Sequence, residues 1–251
     1  MNKLPQITLA FWVMKICATT LGETAGDLLS MTLNVGYAIS SMILISVFLV
    51  TLLTQLWSKT YNPVLYWIVI LSTSTAGTTM SDFMDRTLGL GYAAGSMILI
   101  VILMIIFALW RLSGDSLNVN KVQTFRGELF YWMAILFSNT LGTALGDFLA
   151  DDSGLGFAGG ALLIGSAIAV VVALKYFTQI SSVLLFWVAF VLTRPFGATL
   201  GDFLTKPSEK GGLDFGTVGS SAVLAAVLVV MIAGAAYAQR RYGRSALADV
   251  S

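Results

Sequence analysis

Histidine is absent from the 251 residues, and Cys17 is the one cysteine. Without histidine the chain lacks the commonest protein ligand for zinc, copper and nickel, and also the usual proton-relay side chain. The same absence excludes a Ser-His-Asp triad and a histidine-bearing metalloprotease motif. A single cysteine cannot form an internal disulfide. We therefore expect no enzyme activity and no resident cofactor.

Charge is also scarce, since 11% of the residues are charged against about 25% in an average soluble domain. Hydrophobic residues make up 57%, and the mean hydropathy is +0.86. Apolar runs of membrane-spanning length predict an all-α polytopic membrane protein, with membrane lipid as its first partner. Eight transmembrane helices are predicted, at roughly 7–27, 36–57, 63–83, 91–111, 127–148, 156–178, 182–203 and 215–238.

One motif occurs four times: an aromatic residue and Trp, then Gly-x-x-x-Gly/Ser-Asp. In each copy the Asp follows the Trp by 15 residues, in the pairs Trp12 and Asp27, Trp67 and Asp82, Trp132 and Asp147, and Trp187 and Asp202. This predicts four tandem two-helix repeats, and the first apolar stretch belongs to them rather than to a signal peptide. Because every unit holds two spans, the repeats should be pseudo-symmetric about the membrane normal.

The Asp positions are separated by 55, 65 and 55 residues, and the longer interval is polar. We interpret this as two four-helix halves, residues 1–112 (repeats 1 and 2) and 127–240 (repeats 3 and 4). A cytoplasmic linker at 113–126 joins them, and a cytoplasmic tail follows at 241–251.

Most basic residues fall on the side of the two termini: Lys3, Lys59, Arg111, Lys121, Arg126, Lys175, Arg240, Arg241 and Arg244. The positive-inside rule then places both termini in the cytoplasm. Only Arg86, Lys206 and Lys210 fall in loops on the other side. The C-terminal arginines are part of this topology signal, and no nucleic-acid partner is expected.

A polar stripe runs along the first helix of each repeat, at the positions 4, 7 and 8 residues before the Asp. It consists of Glu23, Thr20 and Thr19; Thr78, Thr75 and Ser74; Thr143, Thr140 and Asn139; and Ala198, Pro195 and Arg194. These positions share one helical face. Because polar groups are costly in lipid, the stripe should face the bundle interior, where glycines beside it permit close helix packing. Together with the Asp residues it predicts a polar column that opens outward and ends in four carboxylates.

The carboxylates of Asp27, Asp82, Asp147, Asp202 and Glu23 are the candidate metal ligands. A carboxylate at a helix C-terminus meets the negative end of the helix dipole, which a cation would offset. The alternative is that each Asp caps the following turn, since Asp is a good N-cap. Asp85, Asp151, Asp152 and Asp214 have no equivalents in all repeats and are expected to be solvated loop charges.

Further candidate residues for binding a cation or substrate are Thr20, Thr78, Thr143, Asn139 and Arg194. Lys15 and Arg194 are the basic residues inside the predicted spans, where they can neutralise buried carboxylates. Pro195 is expected to break its helix and free backbone carbonyls at mid-depth. The four motif Trp residues are expected to be interfacial anchors or packing residues.

The four motif copies and their spacing resemble those of an uncharacterised bacterial family of membrane proteins built of four tandem two-helix repeats. The resemblance covers the chain from Trp12 to the eighth predicted span. It implies a multi-pass protein of the bacterial inner membrane, and it transfers neither a substrate nor a functional residue.

Three functions are compatible with these features. The leading hypothesis is a transporter or channel for a small cation, because carboxylates and hydroxyls are hard oxygen ligands that suit Mn²⁺, Mg²⁺ or Ca²⁺. Na⁺ and H⁺ are also possible, and transport could be coupled to protonation of Glu23 and Asp27. The second is a proton-coupled carrier of a small organic solute centred on Arg194. The third is a structural or regulatory membrane protein that transports nothing. The oligomeric state stays open.

Overall fold

In this computed structural model, residues 4–122 and 124–248 are described, with the backbone alone for residues 120 and 240–248. Lys3 therefore lies outside the described residues, and the side chains of Arg240, Arg241 and Arg244 lie outside the described part of the chain.

Eight α-helices make up most of the described chain. They are α1 (Leu9–Asp27), α2 (Tyr37–Trp57), α3 (Pro63–Asp82), α4 (Tyr92–Leu112), α5 (Phe125–Asp147), α6 (Gly156–Phe177), α7 (Ser182–Thr205) and α8 (Thr217–Ala248). The described residues form no strand, so the all-α prediction is confirmed. The main difference is at the end, where α8 continues through most of the predicted 241–251 tail.

Local sequence sets the helix starts. Thr8 accepts a hydrogen bond from the Phe11 amide at 3.3 Å and caps α1, and Thr124 caps α5 in the same way. Asn62 caps α3 ahead of Pro63, whose fixed φ suits the first helical position. A glycine lies just before or at the start of the second helix of each repeat. Its φ is between 68° and 81°, which residues with a side chain rarely adopt. These are Gly36, Gly91, Gly156 and Gly216.

Four helices form the centre and four pack outside them. The motif helices contact each other in the closed order α1, α3, α5, α7 and back to α1. The outer helix α2 packs on α3, α4 on α5, α6 on α7, and α8 on α1. The second helix of each repeat therefore lies against the motif helix of the next repeat, which links all four repeats into one bundle.

Six segments are long and apolar enough to cross a membrane: α2, α4, α6, α7, the Phe125–Asp152 segment containing α5, and Thr217–Gln239 of α8. In the four outer-helix windows, 17–33% of the residues are buried, against 56–67% in the α5 and α7 windows. The outer helices thus present an apolar surface. Helices α1 and α3 are not among these six segments. They lie in the centre and carry the polar stripe, which lowers their mean hydropathy.

Candidate functional site

The four motif Asp residues lie at the same end of the central bundle. Their exposed fractions are 2–3%, although they stand at or near the ends of their helices. One turn of π-helix follows Asp27, Asp82 and Asp147, and none of these three carboxylates caps it through a side-chain hydrogen bond. The turn-cap alternative therefore finds no support at these three positions.

Two basic residues bridge the four carboxylates in pairs. The Arg86 guanidinium contacts Asp82 at 3.1 Å and Asp147 at 3.2 Å. The Lys206 ammonium contacts Asp27 at 2.7 Å and Asp202 at 3.0 Å. The column predicted to end in four open carboxylates is thus closed by bases that were expected to be loop charges. Each base pairs its own repeat's Asp with the Asp of the following repeat, with repeat 1 following repeat 4.

Lys206 remains charged in this position. Burial by itself would lower the pKa of its ammonium, but the neighbouring Asp202 and Asp27 carboxylates outweigh burial and raise the pKa above the ordinary lysine value. Because the pKa is raised by folding, this pairing contributes its stability below the unfolded-state pKa of about 10.4 and loses it only as the pH rises through the folded value. The Lys206 ammonium therefore does not lose its proton near neutral pH.

A second ionic centre lies one helical turn deeper. Oε2 of Glu23 accepts hydrogen bonds from the hydroxyls of Thr78 and Thr143, both at 3.1 Å, and contacts the Arg194 guanidinium at 3.0 Å. Arg194 also donates to both threonine hydroxyls and to the backbone carbonyls of Thr19 and Ser74. One guanidinium on α7 thus ties α1, α3 and α5 together, and Glu23 and Arg194 are both buried.

Two other candidate residues of the stripe, Asn139 and Thr20, make different kinds of hydrogen bond. Asn139 lies deeper still, where its amide donates to Thr73 at 2.9 Å and its oxygen accepts from Lys15 at 3.4 Å. Lys15 also lies over the Phe190 ring at 4.2 Å. Thr20 donates to the Ile16 carbonyl of its own helix at 2.9 Å. Thr20 is therefore buried on the stripe but makes a local bond rather than joining the Glu23 centre.

The motif glycines lie in direct contact with the stripe of the next repeat. A Cβ at Gly22 would overlap Ser74, one at Gly142 would overlap Arg194, and one at Gly197 would overlap Thr19. Gly77 packs in the same way on Asn139, where a Cβ would lie at 3.0 Å. The absent side chains let the four helices approach closely enough for polar groups on one helix to reach the next.

Aromatic side chains fill the opposite end of the column. Trp67, Trp132 and Trp187 are buried, and the hydroxyls of Tyr66 and Tyr131 share a hydrogen bond of 2.7 Å. These Trp residues are packing residues in this closed aromatic end. Of the two roles expected for the motif Trp residues, interfacial anchor or packing residue, these three positions show packing.

Two further expectations are wrong. Asp85 was expected to be solvated, but it is 5% exposed, accepts a hydrogen bond from Ser81 at 3.2 Å and packs on Gly95. Pro195 does not break its helix, because α7 runs without interruption from Ser182 to Thr205. Proline removes one amide donor but leaves the surrounding helix bonds, and packing on Gly142 holds the segment in place.

Three carboxylates are close enough to share one ion. Glu23, Asp147 and Asp202 each offer an oxygen, and these oxygens lie within 4.8 Å of one another. Oxygen ligands at about 2.3–2.6 Å from Ca²⁺ lie up to about 5 Å apart, so the spacing suits a hard cation of this size. Asp202 Oδ1 lies 3.0 Å from Lys206 but outside hydrogen-bond geometry, and it has no hydrogen-bond partner among the described residues. Asp27 and Asp82 lie outside this group of three.

The sequence divides into four matches to one family model, described as Repeat of Unknown Function (DUF347). The matches cover residues 10–61, 65–116, 130–181 and 185–242, which is most of the chain. The chain belongs to the DUF347 family. Each DUF347 match covers most of one motif helix and of the outer helix that follows it, so the prediction of four tandem repeats is confirmed. No curated protein and no solved structure is significantly similar to this DUF347 chain.

Sequence reasoning missed the role of Arg86 and Lys206, although a signal was present. In DUF347 repeats 2 and 4 a base stands four residues after the motif Asp, at Arg86 and Lys206. The equivalent residues in repeats 1 and 3 are Met31 and Asp151. A spacing of four residues brings side chains together on a helix, so the two bases could have been paired with their own Asp. Their second partners depend on how the repeats pack.

Proposed function

We propose that this DUF347 protein is a membrane transporter for a small cation, which binds between Glu23, Asp147 and Asp202. The observation that carries the proposal is the grouping of three buried carboxylates within 4.8 Å. Such a group in an apolar surrounding needs compensating positive charge.

The charges around this group favour a cation. The outer part of the column holds five buried carboxylates, those of Glu23, Asp27, Asp82, Asp147 and Asp202. Three bases contact them, Arg86, Arg194 and Lys206. The carboxylates outnumber the contacting bases by two, which a divalent cation would balance. Lys15 is a further base, two helical turns deeper than Glu23, where its polar partner is Asn139.

We propose that all eight helices span the membrane, including the polar α1 and α3. The closed contact order of the motif helices and the repeated Gly-to-stripe contacts support a fourfold pseudo-symmetry about the membrane normal. With an even number of spans, both termini lie on one side, and the distribution of Lys and Arg favours the cytoplasm. The proposed location is the inner membrane of a bacterium.

The ligand chemistry favours Mn²⁺, Mg²⁺ or Ca²⁺, because carboxylate and hydroxyl oxygens are hard ligands. Thr78 and Thr143 already bond to Glu23 and would orient it toward an ion. The Arg194 centre and the aromatic inner end close the column, so transport requires these contacts to open on the cytoplasmic side. Protonation of Asp27, one turn after Glu23 on α1, is the proposed coupling step.

The test compares two double variants of the purified, reconstituted protein. Asp147→Asn/Asp202→Asn removes two of the three proposed ligands. Asp151→Asn/Asp152→Asn removes two carboxylates that are exposed at the same end of the bundle. We would measure thermal stabilisation by Mn²⁺, Mg²⁺, Ca²⁺, Zn²⁺ and Na⁺, then uptake of any stabilising ion into proteoliposomes, because a ligand that binds the folded state raises its stability.

We expect ion-selective stabilisation and uptake in wild type and in the exposed-site variant, and loss of both in the ligand variant. Equal uptake by the two variants would exclude the three-carboxylate site. No stabilisation and no uptake in wild type would favour the structural or regulatory alternative.

The organic-solute alternative is less well supported. An anionic group bound at Arg194 would have to displace Glu23, which already contacts the guanidinium at 3.0 Å together with two threonine hydroxyls. Arg194→Lys tests it, since lysine cannot reproduce the guanidinium's geometry. A change of solute selectivity in this variant would restore the alternative.

A further inference from the structure

The two bases at the outer end of the column are held in different ways. Arg86 donates to the Tyr37 hydroxyl at 3.2 Å, and its guanidinium lies 5.8 Å from the Tyr37 ring and 5.6 Å from the Tyr92 ring. Tyr37 and Tyr92 follow the glycines that begin the outer helices of repeats 1 and 2. Arg86 is therefore fixed by two carboxylates and two aromatic rings.

Lys206 stands in a different setting. It directly follows the last residue of α7 in extended conformation, with ψ at 153°, and Pro207 comes next. In repeats 3 and 4 the residues at the positions of the two tyrosines are Phe157 and Thr217, and Thr217 bonds to Thr32 instead. Exposure does not distinguish the two bases, since the Arg86 side chain is 30% exposed; the Lys206 side chain is 20% exposed, whereas its partners Asp27 and Asp202 are 4–5% exposed. It reaches the buried carboxylates from a loop at the surface.

We infer that Lys206 is a tethered ammonium that occupies part of the cation site in the closed state and is displaced when the transported cation binds. The inference rests on the proposed function, because it concerns the same site. Asp202 is one of the three grouped carboxylates and is also a partner of Lys206. An ammonium and a metal ion compete for the same carboxylate, since both are attracted by its negative charge.

This inference assigns different roles to the two bases. Arg86 keeps Asp147 in place while the cation binds, and Lys206 releases Asp202 to it. The loop after α7 allows the movement because it is the longest connection at this end, with five residues inserted relative to the other repeats. Moving Lys206 away also exposes the site to the outer solution, so binding and outer opening occur together.

The first test is Lys206→Met, with Lys210→Met as matched control. Lys210 is exposed on the same loop, so the control removes the same charge without touching the carboxylates. The apparent affinity for Mn²⁺ would be measured by thermal shift in detergent. We expect Lys206→Met to bind Mn²⁺ about tenfold more tightly than wild type, within the usual range for coupled binding events. The control should keep the wild-type affinity.

A chemical rescue separates loss of charge from loss of packing. In a Cys17→Ser background, Lys206→Cys would be treated with a methanethiosulfonate reagent carrying an aminoethyl group, or with the uncharged methyl reagent. The aminoethyl adduct restores an ammonium at nearly the length of lysine. We expect it to return the Mn²⁺ affinity to the wild-type value, while the methyl adduct keeps the tighter binding.

Lys206→Met could unfold the protein, because it leaves two buried carboxylates without their base. Lys206→Met/Asp27→Asn is the second variant, since it removes one carboxylate with the ammonium and keeps the three grouped residues. It should show the same tighter Mn²⁺ binding.

The outcomes separate this inference from the proposed function. If wild type binds Mn²⁺ and the Lys206 variants bind it equally well, the displacement of Lys206 is excluded while the cation site stands. If Mn²⁺ binding appears only after Lys206 is removed, Lys206 blocks the site in wild type instead of yielding to the cation, which contradicts both its displacement and the proposed transport. If neither wild type nor any Lys206 variant binds Mn²⁺, both proposals fail together.

Discussion

At the scale of single residues, the Arg194–Glu23 pair decides how the centre of the bundle is held. Both side chains are buried, and each partner compensates the charge of the other. The motif Asp is present in all four repeats, whereas Glu23 and Arg194 each occur in one repeat only. The near-symmetric repeats thus carry one asymmetric ion pair, placed where four polar stripes meet.

Removal of both partners should cost less than the sum of the two single removals. Arg194→Met leaves Glu23 buried without its counter-ion, and we expect a loss of about 3–5 kcal/mol in the free energy of unfolding. Glu23→Gln/Arg194→Met should lose less than the sum of the single changes, with a coupling of about 0.5–3 kcal/mol. Unfolding in detergent for wild type and the three variants provides the double-mutant cycle. Additive losses would mean that the pair does not interact in the folded protein.

The motif glycines act at the same scale. Gly142→Val would drive a side chain into Arg194 and the Pro195 backbone, so we expect destabilisation of about 1–3 kcal/mol or more, typical of overpacking. Gly234→Ala in α8 is the control, because no heavy atom lies within 4 Å of the added methyl group. It should keep or slightly raise the unfolding temperature, since alanine favours helix. Equal unfolding temperatures for the two variants would contradict the close contact at Gly142.

At the scale of elements, the inner and outer helices differ in what stabilises them. The outer helix α4 is apolar apart from Ser96 and Arg111, whereas α3 carries a run of Ser and Thr between Ser72 and Ser81. Most of those hydroxyls bond to carbonyls of their own helix, and the Thr78 hydroxyl also donates to Glu23 on α1. Helix α3 therefore depends on its neighbours more than α4 does.

This difference predicts how the segments insert into a membrane. A segment of residues 63–87, placed alone in a reporter protein, should insert poorly because its polar groups would face lipid. The α4 segment, residues 92–112, should insert efficiently. Glycosylation of flanking acceptor sites in microsomes measures both fractions. Efficient insertion of the isolated α3 segment would show that the helix needs no polar partners.

At the scale of the whole molecule, the proposed eight spans and cytoplasmic termini predict the side on which each loop lies. Asp152→Cys and Glu209→Cys, both at exposed positions in a Cys17→Ser background, should react with a membrane-impermeant thiol reagent in intact cells. Thr60→Cys and Ser116→Cys, also exposed, should react only after permeabilisation. The control in each case is the cysteine-free protein. Labelling of all four positions from outside would exclude the proposed topology.

The sequence by itself determined the class of the protein and the arrangement of its repeats. Low charge and long apolar runs require a helical membrane-type protein, because a lipid environment leaves helices as the simplest way to bond the backbone. The fixed spacing from Trp to Asp predicted four equivalent units and placed Asp27, Asp82, Asp147 and Asp202 at one end. The helical period also placed Thr78, Thr143 and Arg194 on the interior stripe. These are local properties, readable from spacing along one helix.

Only the tertiary structure decided which of these groups meet. Sequence spacing pairs Arg86 with Asp82 and Lys206 with Asp202, but the second partners, Asp147 and Asp27, come from the following repeats. The grouping of Glu23 with Asp147 and Asp202 likewise joins three helices. Such contacts depend on the distance between helices, which the motif glycines set through direct contact with the next stripe. The position of each polar group on its helix can be predicted from the sequence, whereas the oppositely charged partner that it meets depends on how the helices pack.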